Sequence, residues 1–329
     1  MTFLLELRER WLRYYEKHEK WILIISKFGI ALLALILLNN EIGFFSLLKN
    51  PFFIGAAAVV CALTPGIVTL VILSGFLLVH LFVMSLSLGL VMVVILTVMY
   101  LFFFRFCPKA NYVLLVTMLF FPLHIPFVIP VILALFCPFS YVIALDFGAF
   151  LYYAIHTIGN YSAMLTRQTV VDNAHSLSYI AGSFVGNREM IATLIAFTAT
   201  FIITNLIRKS SAEYSGFYAI ITGVITQFIF LVLTNIWLDA NISLAAIIVQ
   251  TIVEMGIAIL CNAVFFGADY TRTEHFRFED DDYFYFVKAV PKRRISVSDV
   301  KVTHINARNI RDKQQSESED FLNNPNIEE

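Results

Sequence analysis

Charge is the scarcest property of this 329-residue chain: Asp, Glu, Lys and Arg together supply 14% of it, against about 25% in an ordinary soluble domain. Hydrophobic residues supply 59% and the mean hydropathy is +0.78, so a soluble globular domain is excluded. The net charge of −1 provides no field for nucleic acid. Cysteine is also sparse. Cys61, Cys107, Cys137 and Cys261 stand apart without CxxC spacing, which excludes a disulfide framework or a zinc site and reads as reduced packing residues. Walker GxxxxGK[ST], GxGxxG, HExxH and GxSxG patterns are absent, so no catalytic, cofactor-binding or metal-binding residue is assigned.

What the chain has is apolar runs of membrane-crossing length. They predict an all-α integral membrane protein of about eight transmembrane helices, at roughly 20 residues per span. The stretch around which the rest is arranged is 112–136, YVLLVTMLFFPLHIPFVIPVILALF, where Pro122, Pro126 and Pro130 interrupt an apolar run. Each proline removes a backbone donor and crowds the preceding turn, so two short helices joined by a knuckle at His124 are expected. Between 51 and 104 two parses remain: a short helix 51–64 followed by spans 67–84 and 88–104, or two longer spans kinked near Ser74-Gly75.

Loop charge sets the expected orientation. Lys and Arg close to spans stay on the cytoplasmic side, and they crowd both termini and Arg208-Lys209, so both termini are expected in the cytoplasm of a plasma membrane protein. If Arg105 and Lys109 are also inside, 112–136 is a re-entrant hairpin; if they are outside, it is a kinked crossing. The hairpin is the favoured alternative. Residues 1–20 form an amphipathic helix with Leu4, Leu7, Trp11, Leu12 and Tyr15 on one face, lying either on the inner headgroups or on the protein's own surface. A first membrane bundle (21–158), an outer loop with a surface helix (159–190), and a second bundle (191–268) follow. Lys27, inside the first span, is read as a snorkelling side chain.

The tail changes character. Residues 269–306 form a cytoplasmic juxtamembrane segment in which 275–278 and 283–288 predict a small β-hairpin about the acidic turn 279–282, and 307–329 has a disordered composition. The run FEDDDYFYFVKAVPK, with the proline-rich IPFVIPVILALF, resembles an uncharacterised family of multi-pass membrane proteins of Gram-positive bacteria. That resemblance implies a bacterial plasma membrane and no known chemistry.

Ionisable groups at membrane depth are the candidate site. Asp146 and Glu254 lie midway along apolar spans and His124 lies at the knuckle, with Gln227, Gln250 and Asn262 as polar lining. A carboxylate at the bilayer centre costs about 2.5–3.5 kcal/mol, so each is expected to be protonated, partnered or facing water. These residues form a transport or proton site if they share a cavity. Otherwise each is a single polar residue bonded to a neighbouring helix. Two functions follow: a secondary transporter or permease with a midplane site, or a non-transporting scaffold that recruits envelope or cytoplasmic partners through 1–20 or 274–288. An intramembrane enzyme is a third reading that no nucleophile motif supports. Membrane lipids are the one partner that composition itself implies.

Overall fold

The structure, a computed structural model, describes residues 2–165, 182–184, 186–210, 212, 214–240, 242–265 and 274–289. Ten helices and a two-stranded hairpin are described: α1 (Thr2–Glu41), α2 (Pro51–Leu63), α3 (Gly66–Met84), α4 (Leu86–Phe106), α5 (Asn111–Phe120), α6 (Val128–Phe136), α7 (Val142–Leu165), α8 (Arg188–Arg208), α9 (Ser215–Leu238), α10 (Leu244–Phe265), β1 (Glu274–Glu279) and β2 (Phe284–Ala289). Seven of the helices are long and apolar enough to cross a membrane: α1, α3, α4, α7, α8, α9 and α10. The expectation was about eight. The difference is α2, whose 13 residues extend about 20 Å at 1.5 Å per residue, less than a 30 Å hydrocarbon core, although the chain returns through it from one end of the bundle to the other.

The first parse of 51–104 is the one observed. Asn50 caps α2 by accepting from the Phe52 amide, and Pro51 begins the helix where a missing N–H is harmless. Thr64-Pro65 ends it, and α3 runs through Ser74-Gly75 without a break. The amphipathic segment is continuous with the first span in α1, but His18 leaves helical geometry (φ −123°, ψ 21°), which divides the helix close to the boundary expected at residue 20. The face assigned to Leu4 and Leu7 lies outside the described side chains, whereas Trp11, Leu12 and Tyr15 are exposed. Helix α7 continues to Leu165, past the expected end at 158; the surface helix expected over 170–184 and the tail 307–329 fall outside the described residues apart from 182–184, which are helical.

Contacts between helices define two ends. At one, Lys27 lies over the Tyr112 ring (5.9 Å) and Gly66 abuts Asn111. At the other, Asn39 bonds His80 (3.0 Å), Glu41 pairs with His156 (3.4 Å), and Arg188 pairs with Asp239 (3.6 Å). These are called the Lys27 end and the Glu41 end. Helices α1, α3, α7 and α9 run from the first to the second; α2, α4, α8 and α10 return. Helix α5 starts at the Lys27 end and α6 comes back to it, because Asn205 and Arg208, at the end of α8, reach the carbonyls of Ala134 and Cys137. Between the arms, Phe121 packs on Tyr152, Tyr153 and Phe197, all near the middle of their helices. The proline-broken segment is therefore a helical hairpin that enters and leaves at one end and turns halfway along the bundle.

The hairpin joins two cores. Leu114, Leu115 and Met118 of α5 pack with Leu35, Leu77, Leu81 and Phe103. Phe121 and Phe127 pack with Leu145, Phe197, Phe201 and Leu231, while Val131 and Leu135 of α6 pack with Ile220, Val224 and Ala258. Helix α7 serves both sides, with Ala144, Ala154 and Ile155 in the first core and Leu145, Ala149 and Tyr153 in the second. It approaches α5 closely because position 148 is glycine: a Cβ there would lie 2.5 Å from the Leu114 carbonyl oxygen and 2.8 Å from Thr117. Pro130 does not break a helix, contrary to expectation, because it lies in the first turn of α6, where no intrahelical donor is needed. Strands β1 and β2 pair antiparallel with Phe278 opposite Tyr285, within a residue of the expected limits.

Gly148→Ala is predicted to destabilise the protein by about 1–3 kcal/mol, because a rigid carbonyl blocks the methyl group. Gly75→Ala, in a helix interior with nothing within 4 Å of the new atom, is predicted to be neutral or to stabilise by up to about 1 kcal/mol. Unfolding midpoints of the two variants in one detergent check the opposite signs.

Candidate functional site at the helical hairpin

Breaks in an apolar helical segment leave backbone carbonyls short of donors, and the site is built from what answers them. Pro138 has no N–H, so the carbonyl of Ala134, four residues earlier, loses its helical partner. Asn205 Nδ2 and Arg208 Nη1 both donate to it, at 3.1 Å each, and Asn205 also donates to the Cys137 carbonyl at 3.0 Å. At the turn, His124 takes a left-handed conformation (φ 59°), uncommon for a residue with a Cβ, and its amide donates to Phe121. Gln227 Nε2 donates to the Phe127 carbonyl at 3.0 Å, and Gln250 Nε2 reaches the His124 carbonyl at 3.5 Å, the limit of a hydrogen bond. The residues expected as polar lining, Gln227 and Gln250, thus meet His124 and the knuckle. They come from α9 and α10 and hold the backbone of the turn.

The carboxyl groups stand on the flanks. Asp146, one turn into α7, has Oδ2 2.7 Å from Thr198 Oγ1 on α8, and its buried Oδ1 has no partner among the described residues. The same Thr198 hydroxyl is 2.9 Å from the Leu194 carbonyl. The one hydroxyl proton of Thr198 thus lies between two acceptors. Glu254 is 1% exposed and its Oε1 has no partner among the described residues. It follows Gln250 by one turn on the stripe Ile247, Glu254, Ala258 that α10 buries. Asp146 and Glu254 share no hydrogen-bond partner among the described residues: one carboxyl stands on the α7–α8 side and one on α10. Asn262 is nearer the Lys27 end, its Oδ1 directed at Gly216.

Toward the Glu41 end the tip of the hairpin meets a polar group that the sequence reading passed over. Tyr152 stacks on Phe121 (4.4 Å) and on His156 (5.9 Å), and His156 pairs with Glu41. Tyr153 lies 3.0 Å from the Thr193 hydroxyl and donates to Glu189 at 3.4 Å. Leu123 and His124 at the tip are exposed. Thr198, Asn205 and Arg208 were missed as well. Only Pro138 signalled the last two, since a proline four residues after Ala134 implies a donor from another helix.

No family model, curated protein or solved structure matches the chain.

Asn205→Leu leaves the half-buried Cys137 carbonyl without its donor and is predicted to lower stability by about 1–3 kcal/mol, whereas Gln250→Leu, which removes one long and exposed bond, is predicted to lower it by less than about 1 kcal/mol. Thermal unfolding of the two variants in detergent checks the ranking.

Proposed function

We propose that the protein is a multi-pass plasma membrane permease, a secondary transporter whose path runs from the Glu41 end to the tip of the hairpin. The carrying observation is the hairpin itself: a proline-broken pair of half-helices that stops midway, with His124 exposed at its turn and Gln227 and Gln250 holding its carbonyls. Discontinuous helices of this kind form transport sites because they bring half-helix ends and irregular backbone to mid-depth. Glu254, one turn below Gln250, supplies the coupling carboxyl, and the group of Glu41, His156, Glu189 and Tyr152 forms the outer mouth.

Charge supports this orientation. Arg10, Arg13, Lys17, Lys20, Arg105, Lys109, Arg208 and Lys209 lie at or beyond the Lys27 end, whereas Lys49 and Arg188 lie at the other with Glu41, Glu189 and Asp239. The positive-inside bias makes the Lys27 end cytoplasmic, together with both termini, and makes the hairpin re-entrant from the cytoplasm. The resemblance of the tail to a Gram-positive membrane family fits the same compartment.

One observation favours a scaffold instead. The β-hairpin exposes Phe276, Phe278, Tyr283, Phe284 and Phe286, a surface that a cytoplasmic partner could cover.

Proteoliposomes separate the two. Wild-type protein is expected to dissipate an imposed proton or sodium gradient faster than empty vesicles, and Glu254→Gln is expected to slow this at least tenfold with normal insertion. Wild-type vesicles that behave like empty ones under both gradients would favour the scaffold.

A further inference from the structure

We propose that one monovalent metal cation of the sodium type binds in the interior beside the first turn of α6, held by Glu254, Gln227, Thr200 and Thr204. Each of these side chains is at most 1% exposed, and Glu254 Oε1, Gln227 Oε1 and both threonine hydroxyls have no hydrogen-bond partner among the described residues. Unanswered oxygens are rare in a packed interior, and a bound ion is one of the few things that accounts for them. The threonines show this most clearly. Thr117, Thr198, Thr226 and Thr251 each close on the carbonyl one turn earlier, at 2.7–2.9 Å, which is how a hydroxyl is ordinarily satisfied in an apolar helix. Thr200 and Thr204 do not, and their oxygens are left for another partner.

Helix register brings the four together. Thr204 Oγ1 stands where a Cβ on Gly223 would be, and Val131 Cγ2 is 3.5 Å from the same point, so α8, α9 and α6 meet there. One turn on, Gln227 donates to the carbonyl of Phe127, the residue that precedes α6, and Thr200 lies at that level because α8 is antiparallel to α9. Helix α10 is antiparallel to α9 as well. Asn262 abuts Gly216, and Ala258 packs with Ile220 and Val224, which puts Glu254, the next buried residue of that stripe, opposite the turn from Val224 to Gln227. Helical side chains lean toward the start of their own helix, so Glu254 and Gln227 lean toward each other.

The chemistry of the set selects the ligand. None of the four oxygens bonds to another, although each hydroxyl has a proton that the carboxylate or the amide oxygen would accept. Oxygens that turn their lone pairs toward one cation are arranged in this way. A proton on Glu254 answers one acceptor and leaves the rest. Carboxylate, amide and hydroxyl oxygens are hard ligands that suit alkali and alkaline-earth ions. One carboxylate balances one positive charge, whereas a divalent ion leaves a net charge in apolar surroundings, which is costly. A set of four side-chain oxygens is also closer to the shell of sodium than to the larger shell of potassium. The seat deepens the reading of Glu254 as the coupling carboxyl, and its role in transport rests on that reading.

The test is thermal unfolding of the full chain in detergent, with sodium, potassium or choline chloride at constant ionic strength. Sodium is expected to raise the midpoint by several degrees and to saturate, potassium to need at least a tenfold higher concentration, and choline to have no effect. Glu254→Gln should abolish the sodium shift, while its midpoint in choline chloride stays at or above that of the wild type because a buried charge is removed. Thr204→Val, which keeps the volume, should weaken sodium binding at least tenfold, and Thr204→Ser should retain it. Thr222→Val, whose hydroxyl is answered within its own helix, should bind sodium as the wild type does. Equal midpoints in the three salts, or an undiminished sodium shift in both Glu254→Gln and Thr204→Val, overturn the proposal. Sodium flux in proteoliposomes is read separately. Sodium binding without flux keeps the seat and rejects the permease, whereas flux without a sodium-specific shift keeps the permease and rejects the seat.

Discussion

Every backbone carbonyl left open where a helix breaks inside an apolar bundle must find a donor, and this requirement organises the middle of the molecule. An unsatisfied backbone group in hydrocarbon costs several kcal/mol, so a segment with Pro122, Pro126, Pro130 and Pro138 cannot stand against lipid on its own. It is placed between helices that carry amides: Asn205 on α8, Gln227 on α9 and Gln250 on α10 each donate to it. Helices α7 and α8 are the most enclosed long helices, half buried, while α10 is 17% buried. The hairpin fills the interior from one end and stops halfway, and the polar residues collect where it stops.

Much of this was legible in the sequence because prolines and apolar runs act locally. The broken segment, the helices on either side of Pro65-Gly66 and the β-hairpin about its acidic turn follow from the backbone chemistry of single residues. The polar lining was legible in part: Gln227 and Gln250 stand out in apolar spans, but whether they face a cavity or a carbonyl depends on helix rotation, which a few polar residues in an otherwise apolar helix do not fix. The pairing of Asp146 with Thr198 was invisible for that reason, since a threonine in a membrane-like helix usually bonds its own preceding turn, as Thr198 also does.

The two ends of the bundle differ in the charges they gather. The Lys27 end gathers lysines and arginines. The Glu41 end gathers carboxylates, His156 and the tyrosines above the hairpin tip. At that end His80 is fully buried, with Nδ1 accepting from the Phe45 amide and Nε2 bonded to Asn39, so the connection after α1 is tied to α3 one turn below its end. These bonds fix the neutral Nε2–H tautomer.

The central claim is that 112–136 enters and leaves on one side. Cys107 reports poorly on it, since burial pushes its thiol up to about 11. Lys109→Cys and Phe139→Cys, both at exposed positions flanking the hairpin, can be introduced singly after the four native cysteines are replaced by alanine. The account predicts that an impermeant maleimide labels both variants in inside-out vesicles and neither in intact cells. Labelling of one position from outside and the other from inside would make the segment a kinked crossing and contradict it.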